Sequence, residues 1–208
     1  MKIIFATGNE GKLREAAEIL GEAYELETPA DYGITEDIPE TGDTLEENSL
    51  QKARYIYERT GVDCFADDTG LEVDELGGAP GVYTARYATL KAAEYGEPAP
   101  VGRHNFDANM DMLLRELDKA GAKTRRARFR SVVTLIQGGK VHYFEGIMPG
   151  RIATGKAGCG GFGYDPVFIA DDYPDRTVAE LSEEQKNLIS HRGKALRKMA
   201  AFVRGEKD

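Results

Sequence analysis

In Phe65-Ala66-Asp67-Asp68-Thr69-Gly70-Leu71, two aspartates end an apolar run just before a glycine. Adjacent carboxylates there are hard to explain as packing, because an apolar strand gains nothing by closing on paired charge. In α/β proteins catalytic side chains gather at strand ends. A hard cation such as Mg²⁺ binds through one or two carboxylates plus substrate phosphates, and a second carboxylate can take a proton from water. The alternative is a solvated turn. The pattern predicts strands over residues 62–66 and 71–76, with Asp67-Asp68-Thr69-Gly70 as the turn between them.

Upstream, residues 2–6 read as a first strand and 11–20 as a helix whose Leu13, Ala16, Ala17 and Leu20 share one face. A second helix is expected over 44–59, with Leu50, Ala53 and Tyr57 as its stripe. Downstream come a helix over 106–120 with Met110, Leu113, Leu114 and Leu117 inward, then strands over 128–136 and 140–147. Gly138-Gly139 between those strands is a hairpin signal. Residues 182–204 read as helical with a break near Ser190 to Gly193. Strands mixed with helices, and one clear hairpin, give an α/β fold with a mixed sheet. The 208 residues suit a single domain, 1–208, with or without two lobes.

Net charge is −9, which disfavours duplex nucleic acid as a partner. The basic run Lys123-Thr124-Arg125-Arg126-Ala127-Arg128 reads as a solvated strand end or, less simply, as a nucleic-acid patch. No apolar run approaches the ~20 residues of a membrane helix, and the first residues lack a signal peptide's apolar region. The expected compartment is the cytoplasm. Cys64 and Cys159 show no metal-ligand spacing and fit free thiols, Cys64 in a buried strand.

Four further stretches can carry chemistry. Thr7-Gly8-Asn9-Glu10-Gly11-Lys12 is a polar turn between strand and helix, where free amides and the helix dipole attract an anion and Lys12 adds charge. It lacks Walker spacing, and a plain capped helix would look the same. In Glu46-Glu47-Asn48-Ser49-Leu50-Gln51-Lys52, carboxylates either complement the helix dipole or, with Lys52, serve a metal–phosphate complex. Gly158 to Phe168 combines four glycines with Phe162, Tyr164 and Asp165, a backbone open to close approach and side chains suited to a planar base. Lys186-Asn187-Leu188-Ile189-Ser190-His191-Arg192-Gly193 presents several donors at a helix break. The loop Gly77 to Tyr87 reads equally as function or as rigid architecture.

Taken together the chain resembles the inosine triphosphate pyrophosphatase (dITP/XTP pyrophosphatase) family. The resemblance rests on Thr7-Gly8-Asn9, Glu47-Asn48-Ser49, Ala66-Asp67-Asp68-Thr69-Gly70-Leu71, Gly78-Ala79-Pro80-Gly81-Val82-Tyr83, Gly161-Phe162-Gly163-Tyr164-Asp165-Pro166 and Ser190-His191-Arg192, in that order along nearly the whole chain. It departs at Thr69, where many members have Ser, and at Lys156-Ala157-Gly158-Cys159, where Pro-Arg-Gly is common.

The resemblance implies an elongated mixed central sheet flanked by helices, in two lobes with a substrate cleft, and a homodimer. It implies hydrolysis of ITP, dITP and XTP to the monophosphate and pyrophosphate with Mg²⁺. Asp68 would be the catalytic base and a metal ligand, with Glu47 as a further ligand. Thr7, Gly8, Asn9, Lys12 and Lys52 would hold the triphosphate, with Thr69 nearby. Phe162, Gly163, Tyr164, Asp165, Lys186, His191 and Arg192 would surround base and sugar. Lys186, His191 and Arg192 would donate to O6 of hypoxanthine or xanthine and so disfavour ATP. The rival readings are a pyrophosphatase for modified pyrimidines and a regulatory module that binds a triphosphate without cleaving it. The role of Asp67 relative to Asp68 stays open at this level.

Overall fold

The computed structural model describes residues 1–102 and 105–206. Seven strands and six α-helices occur among them: β1 (Lys2–Phe5), α1 (Glu10–Leu20), β2 (Glu25–Glu27), α2 (Leu45–Thr60), β3 (Cys64–Val73), β4 (Pro80–Gly81), α3 (Tyr87–Tyr95), α4 (Phe106–Lys119), β5 (Arg126–Gln137), β6 (Lys140–Ile152), β7 (Phe168–Ala170), α5 (Glu183–Ile189) and α6 (His191–Val203). Hydrogen bonding orders the strands β2-β1-β3-β5-β6-β7, with β4 beside β3. β1 runs parallel to β2 and β3, whereas β3/β4 and β6/β7 are antiparallel, so the sheet is mixed. Gly138 and Gly139, both at positive φ, turn β5 into β6 as their sequence demands. No helix of the described residues is long and apolar enough to cross a membrane.

The chain divides into two compact units. The first comprises Met1–Thr69, Ser131–Ile147 and the chain from Ser190 onward; the second comprises Gly70–Arg130 and Met148–Ile189.

In the first unit both faces of the sheet are covered, which is why its strands read as unbroken apolar runs. Side chains alternate across a strand. Ile3, Phe5, Phe65, Val133 and Leu135 therefore point to one side, where they meet Ala16 and Leu20 of α1 and Ala195, Leu196 and Met199 of α6. Ile4, Ala6, Cys64, Ala66 and Ile136 point to the other, against Ala53 and Ile56 of α2. Phe5 and Phe65 stack at 4.4 Å. The buried Cys64 thiol donates to the Ala53 carbonyl, and burial pushes it up to about 12; Cys159 is exposed.

The second unit packs Leu113 and Leu117 of α4 and Tyr87 of α3 against Leu71, Val73, Phe129, Met148, Ile152 and Phe168. Here the arginines of the basic run pair with acids: Arg125 with Asp118, Arg126 with Asp171 and Arg128 with Glu72.

Three expectations change. Asp67-Asp68-Thr69-Gly70 is no turn; β3 continues through it to Val73, and Leu76 falls in the short turn that follows. The strand can carry these polar groups because charged partners meet them on both faces. In α1 the buried residues are Glu15, Ala16 and Leu20, with Leu13 packed partly buried beside them, while Ala17 is exposed. In α2 the buried stripe is Leu45, Asn48, Ser49, Lys52, Ala53 and Ile56, rotated from the Leu50–Tyr57 line. Its polar members are satisfied inside: Asn48 accepts from Gly42 N, and Ser49 bonds Thr134 at 2.6 Å.

Candidate active site

The alternation that sorts the core also sorts the two aspartates. Asp67 follows Phe65 onto the α1/α6 side, and Asp68 follows Ala66 onto the α2 side. Each meets its own lysine. Lys12 Nζ on α1 donates to Asp67 Oδ1 at 2.9 Å, and Lys52 Nζ on α2 donates to Asp68 Oδ1 at 3.1 Å.

Asp67 is buried and its second oxygen accepts from Arg192 Nε at 2.9 Å. Arg192, 2% exposed, donates through Nη1 to Glu15. Glu15's other oxygen accepts from Ser190 Oγ at 2.6 Å, and Ser190 in turn caps α6 by accepting from Gly193 N. Lys12, Asp67, Arg192 and Glu15 thus form a chain of alternating charge whose two ends, Lys12 and Glu15, both stand on α1. Burial opposes charge on Asp67, but Lys12 and Arg192, helped by Lys52, outweigh it and hold the carboxyl well below the usual range. Burial lowers the Lys12 ammonium, with Asp67 opposing.

Asp68 differs. Burial raises its carboxyl above the usual range, and Lys52 and Lys12 offset this only in part. Lys52 is itself buried, yet Asp68 and Glu40 raise its ammonium because it donates to both. Across these contacts three cations face four carboxylates, Glu15, Glu40, Asp67 and Asp68. A polyphosphate entering such a site needs additional positive charge.

Thr7-Gly8-Asn9 precedes α1 with Gly8 and Asn9 exposed. Thr7 Oγ1 accepts from Asn9 N at 3.1 Å, and Asn9 Oδ1 caps the helix by accepting from Lys12 N at 3.0 Å. The turn is therefore a capped helix start that keeps Lys12 at its rim.

Glu47 stands in the first turn of α2. Its Oε2 accepts from Asp43 N at 2.8 Å and Thr44 N at 3.1 Å, the return half of a capping box at the start of α2. The carboxylate that shares Lys52 with Asp68 is Glu40. Oxygen donors of this kind fit a hard divalent cation. No group of three or more His, Cys, Asp or Glu side chains converges among the described residues, so such a cation would complete its shell with water and phosphate.

In the second unit, Asp165 Oδ2 accepts from Phe162 N at 2.8 Å and from Lys186 Nζ at 2.5 Å. Lys186 Nζ lies 4.5 Å from the centre of the Phe162 ring, which is 40% exposed. Ring, ammonium and carboxylate form one cluster. Gly161 is required there, since a Cβ would fall 2.0 Å from Asp165 Oδ2. Gly158 and Gly160 instead serve packing: a Cβ on either would meet the Ala179 carbonyl. Tyr164 is buried and its hydroxyl donates to the Thr84 carbonyl, so its ring is core and its loop role is architectural. Gly163 sits beside it at positive φ. Lys156, in the departing stretch, pairs with Asp107 and Asp111 of α4. His191 and Arg192, grouped with this cluster in the sequence, belong to the first unit, where His191 begins α6.

Two residues of the site carry no mark in the sequence, Glu15 and Glu40. Glu15 looks like any surface glutamate of an amphipathic helix. Glu40 lies in an acidic irregular stretch among Glu36, Asp37, Asp43, Glu46 and Glu47.

Residues 3–202 match the family model described as the Ham1 family. This chain belongs to the Ham1 family. Every residue of the site lies within the matched span. Among curated relatives of this Ham1 member, the dITP/XTP pyrophosphatase of Flavobacterium johnsoniae is 44% identical, with all of both chains covered. That of Porphyromonas gingivalis is 46% identical over 97% of each. Among solved structures, a HAM1 protein from Coxiella burnetii superposes with a TM-score of 0.86 at 32% identity, covering 99% of each chain. The Staphylococcus aureus Ham1 protein gives 0.83 at 37% identity over the full length of both.

Proposed function

We propose that this chain hydrolyses deaminated purine nucleoside triphosphates, ITP, dITP and XTP, to the monophosphate and pyrophosphate, and so cleanses the nucleotide pool. The observation that carries the reading is the division of Asp67 and Asp68 between two sheet faces, each with its own lysine. The names of the relatives, dITP/XTP pyrophosphatases at 44–46% identity over nearly the whole chain, supply the substrate class. In this reading residues 1–208 act as one catalytic domain, as a homodimer working on free nucleotides in the cytoplasm.

The reaction is attack of water on the α-phosphorus with pyrophosphate leaving. Asp68 takes the water's proton: burial raises its carboxyl toward neutrality, the direction a general base requires. Lys12, Lys52 and the Thr7-Gly8-Asn9 turn at the start of α1 bind the triphosphate, and the lysines offset charge on the leaving group. Glu40 and Asp68 would hold Mg²⁺, which would offset the excess of carboxylate charge and polarise phosphoryl oxygens. Glu47 stays a helix cap. Asp67 is the anchor that orients Lys12, and Arg192 with Glu15 orients Asp67.

Base recognition falls to Phe162, Asp165 and Lys186. The exposed ring stacks on a purine, and the ammonium donates to O6, an acceptor that adenine lacks. His191 at the start of α6 is a further donor, whereas the Arg192 guanidinium is committed to carboxylates. Pyrophosphate release from ITP, XTP, dITP, ATP, GTP and dTTP, each with Mg²⁺ and with EDTA, tests the reading. Metal-dependent release confined to the first three supports it; release from all six rejects the base-recognition part, and release from none rejects the enzyme.

A further inference from the structure

Residues 37–42 form no regular element, and the Glu40 side chain within them is 40% exposed. A carboxylate on such a stretch is loosely placed unless the backbone beneath it is held. The bond from Lys52 fixes only the carboxylate tip. On one side of Glu40, Pro39 has no amide hydrogen to offer a partner. On the other side, α2 supplies the partners that a strand or helix would have given. Gln51 Oε1 accepts from Thr41 N at 2.9 Å, and Gln51 Nε2 donates to Thr41 Oγ1 at 3.1 Å. Asn48 Oδ1 accepts from Gly42 N at 2.8 Å.

Spacing on α2 makes this clasp possible. Asn48, Gln51 and Lys52 stand at i, i+3 and i+4, so one face of the helix presents all three. Glu40, Thr41 and Gly42 meet Lys52, Gln51 and Asn48 in that order, a short strap laid antiparallel to the helix. Asn48 is 2% exposed and lies in the buried stripe with Leu45 and Ala53. An apolar side chain there would serve packing alone; the amide adds an acceptor for Gly42. Gly42 must lack a side chain for this fit, because a Cβ would fall 2.5 Å from Glu47 Cβ. Glu47 itself holds Asp43 and Thr44 as the helix cap, so the two amides next to Glu40 belong to Gln51 and Asn48.

We propose that Asn48 and Gln51 are positioning residues for metal-assisted hydrolysis. By clasping Gly42 and Thr41 they hold the Glu40 carboxylate beside Asp68, where both acids converge on Lys52 Nζ and where Mg²⁺ would be held. The inference rests on the reading of this site as one that hydrolyses nucleoside triphosphates.

The test follows pyrophosphate release from dITP against Mg²⁺ concentration, with thermal unfolding of every variant. Asn48→Leu is expected to raise the Mg²⁺ concentration for half-maximal rate ~5-fold, the worth of one hydrogen bond, and Gln51→Leu by a similar factor. In a Glu40→Gln background neither substitution should raise it further by more than about a factor of two, because both act only through Glu40. Calorimetric affinity for the α,β-methylene analogue of dITP, titrated against Mg²⁺, should show the same shift without turnover. If Asn48→Leu does not fold, Gln51→Leu, at a half-buried position, carries the comparison. An active wild type without a Mg²⁺ requirement, or with one that the substitutions leave unmoved or move as much without Glu40 as with it, overturns the proposal alone. So does calorimetry that shows no shift. A folded wild type that releases no pyrophosphate from ITP, dITP or XTP overturns the functional reading and the proposal with it.

Discussion

Arg192 and Asp67 lie 125 residues apart in sequence and meet through a 2.9 Å bond from Nε to Oδ2. The contact joins the last helix to the middle strand, and Glu15 closes it onto the first helix. Arg192 is therefore expected to act on stability and geometry before base choice. Arg192→Ala leaves two carboxylates buried without their cation, a loss of about 3–5 kcal/mol. Denaturant unfolding should show this loss, with the dITP-to-dATP rate ratio preserved in whatever activity remains. Full stability combined with a lost ratio would return Arg192 to base recognition.

This chain of charges also predicts a pH dependence. Asp67 titrates below its unfolded value of about 3.9 because Lys12 and Arg192 overcome the cost of its burial. Its contribution to stability is thus complete above about pH 4 and is lost as pH falls through the folded value. Asp67→Asn should lower stability at neutral pH and flatten the further decline below about pH 4. Urea unfolding measured from pH 7 to 3 gives both slopes; equal slopes in wild type and variant would contradict the pairing of Asp67 with Lys12 and Arg192.

Glu40 and Glu47 separate by metal response. Glu40→Gln is expected to raise the Mg²⁺ concentration for half-maximal rate by about tenfold or more, the scale on which groups around a metal act. Glu47→Ala should leave that concentration unchanged and cost about 1 kcal/mol of stability, as loss of a helix cap does. Magnesium titrations of rate and of tryptic protection distinguish the two, and the opposite pattern would restore Glu47 as the ligand.

Lys186→Ala removes the ammonium beside Phe162 and Asp165. Its expected effect is a fall of at least tenfold in the dITP-to-dATP ratio of kcat/KM, since the O6 acceptor loses its donor. Phe162→Ala should raise KM for every purine alike, because stacking is indifferent to the base's edge. An unchanged ratio in Lys186→Ala would remove it from recognition.

Much of this was legible in the chain because the informative patterns are local. Asn9 before α1, Thr44 with Glu47 at α2, and Gly138-Gly139 each fix a helix start or a turn within a few residues. Asp68, Lys12 and Lys52 carry chemistry in any structure that buries them. Illegible were the facts that depend on which face a residue takes. Polar groups in a strand look like a turn until their partners are known, so Asp67 to Gly70 read as a break. Lys52, Asn48 and Ser49 fell outside the apolar stripe expected for α2, because hydropathy cannot register an ion pair with Glu40 and Asp68 or a bond to Thr134. Glu15 and Arg192 sit 177 residues apart, and neither implies the other. Tyr164 and Asp165 stood out as aromatic and acidic beside glycines, but that Tyr164 donates to the Thr84 carbonyl and that Asp165 accepts from Phe162 N and Lys186 depends on the folded loop.

The most direct test of the account compares Asp67→Asn with Asp68→Asn, reading unfolding free energy and pyrophosphate release from dITP on the same preparations. Asp68→Asn should keep the fold and lose at least ~100-fold in turnover, the scale of a missing general base. Asp67→Asn should lose several kcal/mol of stability, because Lys12 and Arg192 keep their charges without their shared partner. Asp68→Asn with near-normal turnover, or Asp67→Asn with unaltered stability, would contradict the division of the two aspartates.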